Sequence, residues 1–377
     1  MRSIIALFLT SQLAFGCETA TFIWSLPRGA DPLFRFERGN DVGFINATGK
    51  IVLSAIPKTK VRVSGAFFSG MLSLGVSDGP FIDTRGRVRP FKEFDRVWDF
   101  QEGLAPAIQD FTNSSRWGYI DRSGAWAISP RFPSYPAGLV TTFLEGLASI
   151  ETEGKVGFID KYGEFAIPQQ FAHAGSFSES AVRVIVSGPC VYRSEGACGG
   201  PSWAPSTGPE KVRGTSASDC RWSFVDRSGR LLSDGTFEDA QDFHDGLAAV
   251  RADGKWGYIG KQGSFIVAPR FAQAGPFSEG MALVTDGESS GYIDKNGKMQ
   301  FLAKSGGAFS AGLAFVGDYD HGFVYVDKRG KQIIQERFEF ATDFQYGLAH
   351  VKLIGKRNTF AYIDLKGKHI FTYQGQM

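Results

Sequence analysis

The sequence predicts an all-β protein of about nine tandem antiparallel β-units, three to four strands each, with a propeller-like ring favoured over an open β-superhelix. Three observations carry this. The 377 residues include 47 Gly and 34 Phe, the residues of tight turns and of large buried strand faces. A motif of Gly, aromatic, Ile, Asp, two residues and Gly recurs along the chain, and its spacing is nearly constant. Tandem copies at such a period indicate an array that grows by adding units to a shared core.

The motif is clearest as RWGYIDRSG at 116–124, KVGFIDKYG at 155–163, KWGYIGKQG at 255–263 and SGYIDKNG at 290–297. Weaker copies lie at 42–49, 80–86, 221–229, 324–330 and 361–367. The Asp-equivalent positions are 46, 83, 121, 160, 226, 260, 294, 327 and 364, so eight intervals separate them, seven of 33 to 39 residues and one of 66. The long interval places an insertion between the fourth and fifth copies. Trp-Gly-Tyr-Ile-Asp and a preceding Gly-Leu-Ala-x-Val read as short strands rich in β-formers. Asp-x-x-Gly reads as a tight turn. A third strand follows, as at Phe165-Ala166-Ile167-Pro168 and Phe265-Ile266-Val267, and Pro168 and Pro269 either end it or mark a sheet edge. Phe pairs six residues apart (94 and 100, 171 and 177, 237 and 243, 271 and 277, 338 and 344) form the connection to the next unit. Four of them carry an Ala three residues after the first Phe (174, 240, 274, 341), the large and small alternation of an interlocking core. That connection has room for a short fourth strand.

The phase of the ends bears on closure. Leu33-Phe34-Arg35-Phe36 matches the Gly-Leu-Ala strand. It either completes the last unit and closes a ring, or begins the first of nine whole units; nine exceeds the usual four to eight propeller blades.

Residues 1–16 read as a signal peptide: Met1-Arg2, an apolar stretch from Ile4 to Phe15, then Ala14-Phe15-Gly16 before Cys17. The expected order is then a lead-in at 17–32, repeats at 33–186, an insertion at 187–220, repeats at 221–372 and a tail at 373–377. The chain is expected to be exported to the periplasm, the cell surface or the medium. Cys17, Cys190, Cys198 and Cys220 allow two disulfides there, with Cys190–Cys198 or a pairing to Cys220 favoured. Cys17 also admits lipidation, which would leave three cysteines. With 41 basic against 39 acidic side chains, the whole chain offers no net basic field for nucleic acid or anionic lipid.

The Lys/Arg-Trp-Gly-Tyr-Ile-Asp-x-x-Gly core, followed by Glu-Gly-Leu-Ala, resembles the WG (KWG) repeat family. Residues 116–124 and 255–263 are the nearest matches, and the resemblance spans about 33–371. Trp-Gly itself stands only at 117–118 and 256–257; Val42, Val156 or Phe323 replaces the Trp elsewhere, and Ser223 or Ala361 the Gly. The resemblance implies a bacterial source, the repeat architecture and an interaction role more than any reaction.

Chemistry is sparse. A carboxylate that recurs in every copy is expected to build turns and not an active site, and Glu102, Glu145, Glu179 and Glu279 read as turn or strand-entry residues. Asp294-Lys295-Asn296-Gly297 lacks the Glu that completes a calcium loop. The histidines (173, 244, 321, 350, 369) show no metal spacing, and no phosphate loop or nucleophile elbow is present. No catalytic, cofactor or metal residue is assigned. The Trp and Phe stripes are expected in the core, with a glycan-stacking face as the lesser alternative. The insertion holds three cysteines and Tyr192, Arg193, Trp203, Lys211 and Arg213, which suit an interface. The expected function is a non-enzymatic scaffold that binds a protein partner through this loop and one rim, the rival being a glycan-binding or hydrolytic envelope protein.

Overall fold

The computed structural model describes residues 32–58, 69–73, 80–110, 112, 114–134, 140–187 and 220–375. All the regular structure among them is β, in small antiparallel sheets. Unit 6 shows the pattern. A lead strand Asp239–His244, a Leu-Ala strand Leu247–Ala252, a Tyr-Ile strand Lys255–Ile259 and an outer strand Phe265–Phe271 pair in that order. The lead strand is the fourth strand for which the Phe-containing connection had room. It shortens to two residues at Arg96–Val97, His173–Ala174 and Gln273–Ala274. In unit 9 it is the end of Gln332–Ala341, a strand that serves as the outer strand of unit 8 and then the lead strand of unit 9.

Three turns join the strands. The entry turn, between lead and Leu-Ala strands, is a two-residue hairpin with both central φ positive, as at Glu145 (52°) and Gly146 (79°); that geometry matches the twist of paired strands. The far turn, between Leu-Ala and Tyr-Ile strands, has the same form at Asp253 (51°) and Gly254 (72°). The Asp turn leads to the outer strand. Because the strands alternate direction, entry and Asp turns share one end of the array and far turns occupy the other. Pro168 and Pro269 lie inside the outer strands Phe165–Phe171 and Phe265–Phe271. These strands are sheet edges, where a missing N–H costs no ladder bond, and each is irregular in register there.

The core runs between units and not only within them. In units 2 to 8 the aromatic of the Tyr-Ile strand meets a Phe of the next unit's lead segment, edge-on in six pairs and tilted at Tyr325–Phe344. Phe81–Phe100, Tyr119–Phe143, Phe158–Phe177, Phe224–Phe243, Tyr258–Phe277, Tyr292–Phe309 and Tyr325–Phe344 have ring centroids 4.7–5.3 Å apart. From unit 9 back to unit 1, Tyr362 meets Phe34 edge-on at 5.5 Å and its hydroxyl donates to the Arg35 carbonyl at 2.5 Å. Phe34 and Arg35 lie in the Leu-Ala strand, at the position of Ala248 and the residue after it, so this contact differs from the one at the other junctions.

A second contact recurs at all nine junctions. The Gly of each Asp turn (49, 86, 124, 163, 229, 263, 297, 330, 367) has φ between 73° and 91°. A Cβ there would lie 2.4–3.1 Å from the outer segment of the preceding unit: Leu53 for Gly86, Phe91 for Gly124, and so on to Ile334 for Gly367. Gly49 of unit 1 faces Ile370 of unit 9 in this way, at 2.6 Å from its carbonyl oxygen. Glycine is thus required twice over, by φ and by space. Strand Leu33–Arg38 pairs with Asp41–Asn46 of its own unit, so among the described residues the first strand belongs to the first unit and is not lent to the last. The last strand, His369–Gln374, runs two residues past the expected limit of the repeats.

Candidate functional site

The insertion leaves from a strand pair. Ala181–Ser187 and Arg221–Asp226 are the Leu-Ala and Tyr-Ile strands of unit 5, paired through Ile185 with Trp222 and Ser187 with Arg221. Residues 188–219 therefore stand where unit 6 has a two-residue far turn. Tyr192, Arg193, Trp203, Lys211 and Arg213, with Cys190 and Cys198, lie outside the described residues, as do Cys17 and the leader. Cys220 lies within them and is buried.

The stem beneath the insertion is tightly built. Trp222 is 1 % exposed. The Arg183 guanidinium lies 5.2 Å from the Trp222 ring centroid, and the His173 ring meets that indole edge-on at 5.8 Å. Arg183 also reaches into unit 6, donating to the Ala240 carbonyl at 2.7 Å and pairing with Asp242 at 3.0 Å. Burial, reinforced by the Arg183 charge, pushes His173 down to about 4, so the imidazole is neutral at physiological pH. The loop thus rises from a rigid, cross-braced base.

The recurring Asp is a turn residue. Its Oδ1 accepts the backbone N–H groups two and four residues on: Ser123 and Ala125 for Asp121, Ser228 and Arg230 for Asp226, Asn296 and Lys298 for Asp294. Asn46 does the same in unit 1. The Ser123 and Ser228 hydroxyls, with these N–H groups, hold Asp121 and Asp226 below the usual carboxylate range.

The entry-turn acids do more than start a strand. Glu102 accepts Gly146 N at 3.0 Å, Glu145 accepts Ser180 N at 2.7 Å, Glu179 accepts Gly246 N at 2.9 Å and Glu279 accepts Gly312 N at 2.9 Å. Asp245 accepts Gly280 N in the same way. Every donor belongs to the entry turn of the following unit. A cation from that unit's Asp turn joins in: Lys161 meets Glu102 at 3.0 Å, Lys261 meets Glu179 at 3.4 Å, Lys295 meets Asp245 at 2.8 Å and Lys328 meets Glu279 at 3.4 Å. Arg227 instead donates to the carbonyl of Glu145. This ladder is the feature that inspection of the sequence missed. Its trace there is an acid in one copy matched by Lys or Arg at the first turn position of the next.

The histidines are dispersed. His350 is half-buried, stacked against Phe360, Tyr362 and Tyr373, and desolvation there pushes it down to about 4. His321 sits on Asp318 and His369 on Glu336. Trp117 and Trp222 are core residues.

Repeated β-units joined by recurring contacts define an all-β tandem-repeat protein of propeller-like construction. Five stretches of the chain are WG-type repeats by the family model described as WG containing repeat, which matches residues 81–110, 117–155, 222–256, 256–288 and 325–356. A comparison with curated proteins finds no match. Among solved structures, the chain is similar to the computationally designed Ika8 protein (12% identity, 74% of this chain and 86% of that one, TM-score 0.42). It is also similar to BamB from Moraxella catarrhalis (13%, 91% of each, TM-score 0.36) and to Hsv2p of Kluyveromyces lactis (8%, 82% and 95%, TM-score 0.36).

Proposed function

We propose that this protein is an exported, non-enzymatic scaffold: a closed ring of nine units that holds out the 187–220 loop to bind a protein partner. The observation that carries the reading is the stem. A long excursion replaces a two-residue turn at a place where Trp222, Arg183, His173 and Asp242 fix the strand pair across two units. Such a base holds an interaction loop without ordering cost to the scaffold. Tyr192, Trp203 and Arg193 are the expected anchors, with Lys211 and Arg213 beside them, since aromatic and Arg side chains dominate interface energetics. The disulfides expected at Cys190, Cys198 and Cys220 would cut the loop's freedom further. The closed ring is supported by the Gly49–Ile370 contact, which repeats at the last junction what joins the others, and by the edge-on Phe34–Tyr362 pair.

The test is affinity capture from envelope extract with two proteins, the intact chain and one whose residues 188–219 are replaced by Asp-Gly, the far turn of unit 6. A partner held by the intact chain and lost on replacement is the expected result. Equal capture by both would move the contact to the repeat faces and overturn the assignment to the loop.

A further inference from the structure

The ladder of entry-turn acids and Asp-turn cations covers units 3 to 8 and then stops. The entry-turn acid is replaced by Ala311 in unit 8, Tyr346 in unit 9 and Ser69 in unit 2. Its partner cation at the first Asp-turn position is replaced by Leu365 in unit 9, Ala47 in unit 1 and Thr84 in unit 2. Basic residues move instead to the positions two and four after the turn Asp. In units 8, 9, 1 and 2 these are Arg329, Lys331, Lys366, Lys368, Thr48, Lys50, Arg85 and Arg87, seven of eight basic. In units 3 to 7 the same ten positions hold two cations, Arg230 and Lys298, and one acid, Glu164.

These four units are neighbours only because unit 9 packs on unit 1. The backbones at the two positions are pinned by the turn carboxylate or Asn46, as at Lys366 and Lys368 on Asp364, while the side chains are exposed. Arg87 pairs with Asp83. The other six cations make no ion pair to a described carboxylate. Asn46 stands where other turns carry Asp, which removes one more negative charge from the arc. Beside the cations, Leu365, Ile333, Ile51 and Val88 are 38 to 55 % exposed.

We infer that this arc of Asp turns docks on an anionic phospholipid surface. Its cations stand on four turn tips, two on each of three and one on the fourth, and each tip has an exposed apolar side chain beside them. That spacing suits many headgroup phosphates lying in one plane, with the apolar groups dipping to headgroup depth. The surface lies at the end of the array opposite the inserted loop, so it goes beyond the proposed partner site and does not depend on it.

The test is co-sedimentation of the full mature chain with phosphatidylcholine vesicles, with and without phosphatidylglycerol. Binding that requires phosphatidylglycerol and fades in high salt is expected. At about fivefold per basic residue near the surface, the triple variant K331Q/K366Q/K368Q should lose on the order of 100-fold in partitioning. The triple variant K155Q/K255Q/K356Q at the far turns, equal in charge change, should retain it. Leu365→Ser should weaken binding while leaving its salt dependence. Absence of binding, indifference to phosphatidylglycerol, or equal loss in both triple variants would overturn the inference. Retention on poly-glutamate resin without vesicle binding would replace the membrane by an acidic polypeptide.

Discussion

Asp343 is the residue whose surroundings most oppose its charge. Arg183 gives Asp242 of unit 6 a cation, but the matching neighbour of Asp343 in unit 9 is Phe315. A Cβ on Gly307 would lie 1.9 Å from the Asp343 Oδ1 and 2.2 Å from the Phe315 ring, so only glycine leaves both their space. That Oδ1 has no hydrogen-bond donor among the described residues. Burial pushes the carboxyl up to about 6, against the opposing pull of the Ala308 N–H. The folded value lies above the unfolded 3.8, so the native state is favoured by this group below about pH 4, and that contribution is lost as pH rises through 6. Asp343→Asn should therefore raise stability by about 1–2 kcal/mol at pH 7.5 and leave it unchanged or lower at pH 4. Urea melts at the two pH values check this; equal effects at both would mean the carboxyl is solvated. The turn chemistry was legible at this scale because Asp121 Oδ1 and the N–H groups it accepts sit within four residues of each other. The burden on Asp343 was not, since Phe315 and Gly307 lie in the preceding unit. For Val324, which occupies the Gly position of the Trp-Gly pair in unit 8, we have no physical account.

At the scale of the element, the entry turn holds two jobs. It reverses the chain, and its acid joins the next unit. Glu179→Gln keeps an acceptor for Gly246 N and gives up the charge toward Lys261 (whose ammonium also lies 3.9 Å from the Phe243 ring centroid). Such exposed pairs contribute roughly 0–1 kcal/mol, so the Gln variant should differ from the native protein by no more than that, and by nothing in high salt. Glu179→Ala removes the acceptor as well and should cost about 1 kcal/mol more. Denaturant melts of both variants at low and high salt separate the terms; a Gln variant as unstable as the Ala variant would show that charge, not the backbone bond, couples the units. The strands themselves were readable, because alternation of apolar residues is local. The lead strand was readable only as a connection with room for pairing, since at two residues it has too little pattern to announce itself. The stem of the insertion follows from the repeat phase: 66 residues between turn Asps leave one unit and an excess that begins after the Leu-Ala strand.

Across the whole molecule, the choice between a ring and an open array rests on pairs that no local pattern displays. Phe34 and Tyr362 belong to opposite ends of the sequence, and the terminal phase alone allowed either a shared strand or nine whole units. If unit 9 packs on unit 1 as firmly as the other units pack on one another, Phe34→Ala should cost as much as Phe177→Ala, although Phe34 lies within the Leu-Ala strand and Phe177 ahead of it. Each should cost roughly 3 kcal/mol and leave a single cooperative transition in thermal melts. A second, earlier transition in the Phe34 variant, or amide exchange loosened only in residues 32–58, would mean that the first unit behaves as a free end.

The Tyr362 hydroxyl and the Arg35 carbonyl are 327 residues apart in the chain, and that distance sets an order of events during synthesis. Each internal junction needs only two successive repeats to have been made. The ninth must wait until unit 9 has been made, and bringing its partners together means closing a loop of 327 residues, a cost that grows slowly but without a local reward. Until then unit 1 carries a bare flank with Phe34 and Phe36 unshielded. Nascent chains stalled short of Tyr362 should therefore be the species that chaperones hold and that proteases cut near residue 34, however well the middle of the array has already formed.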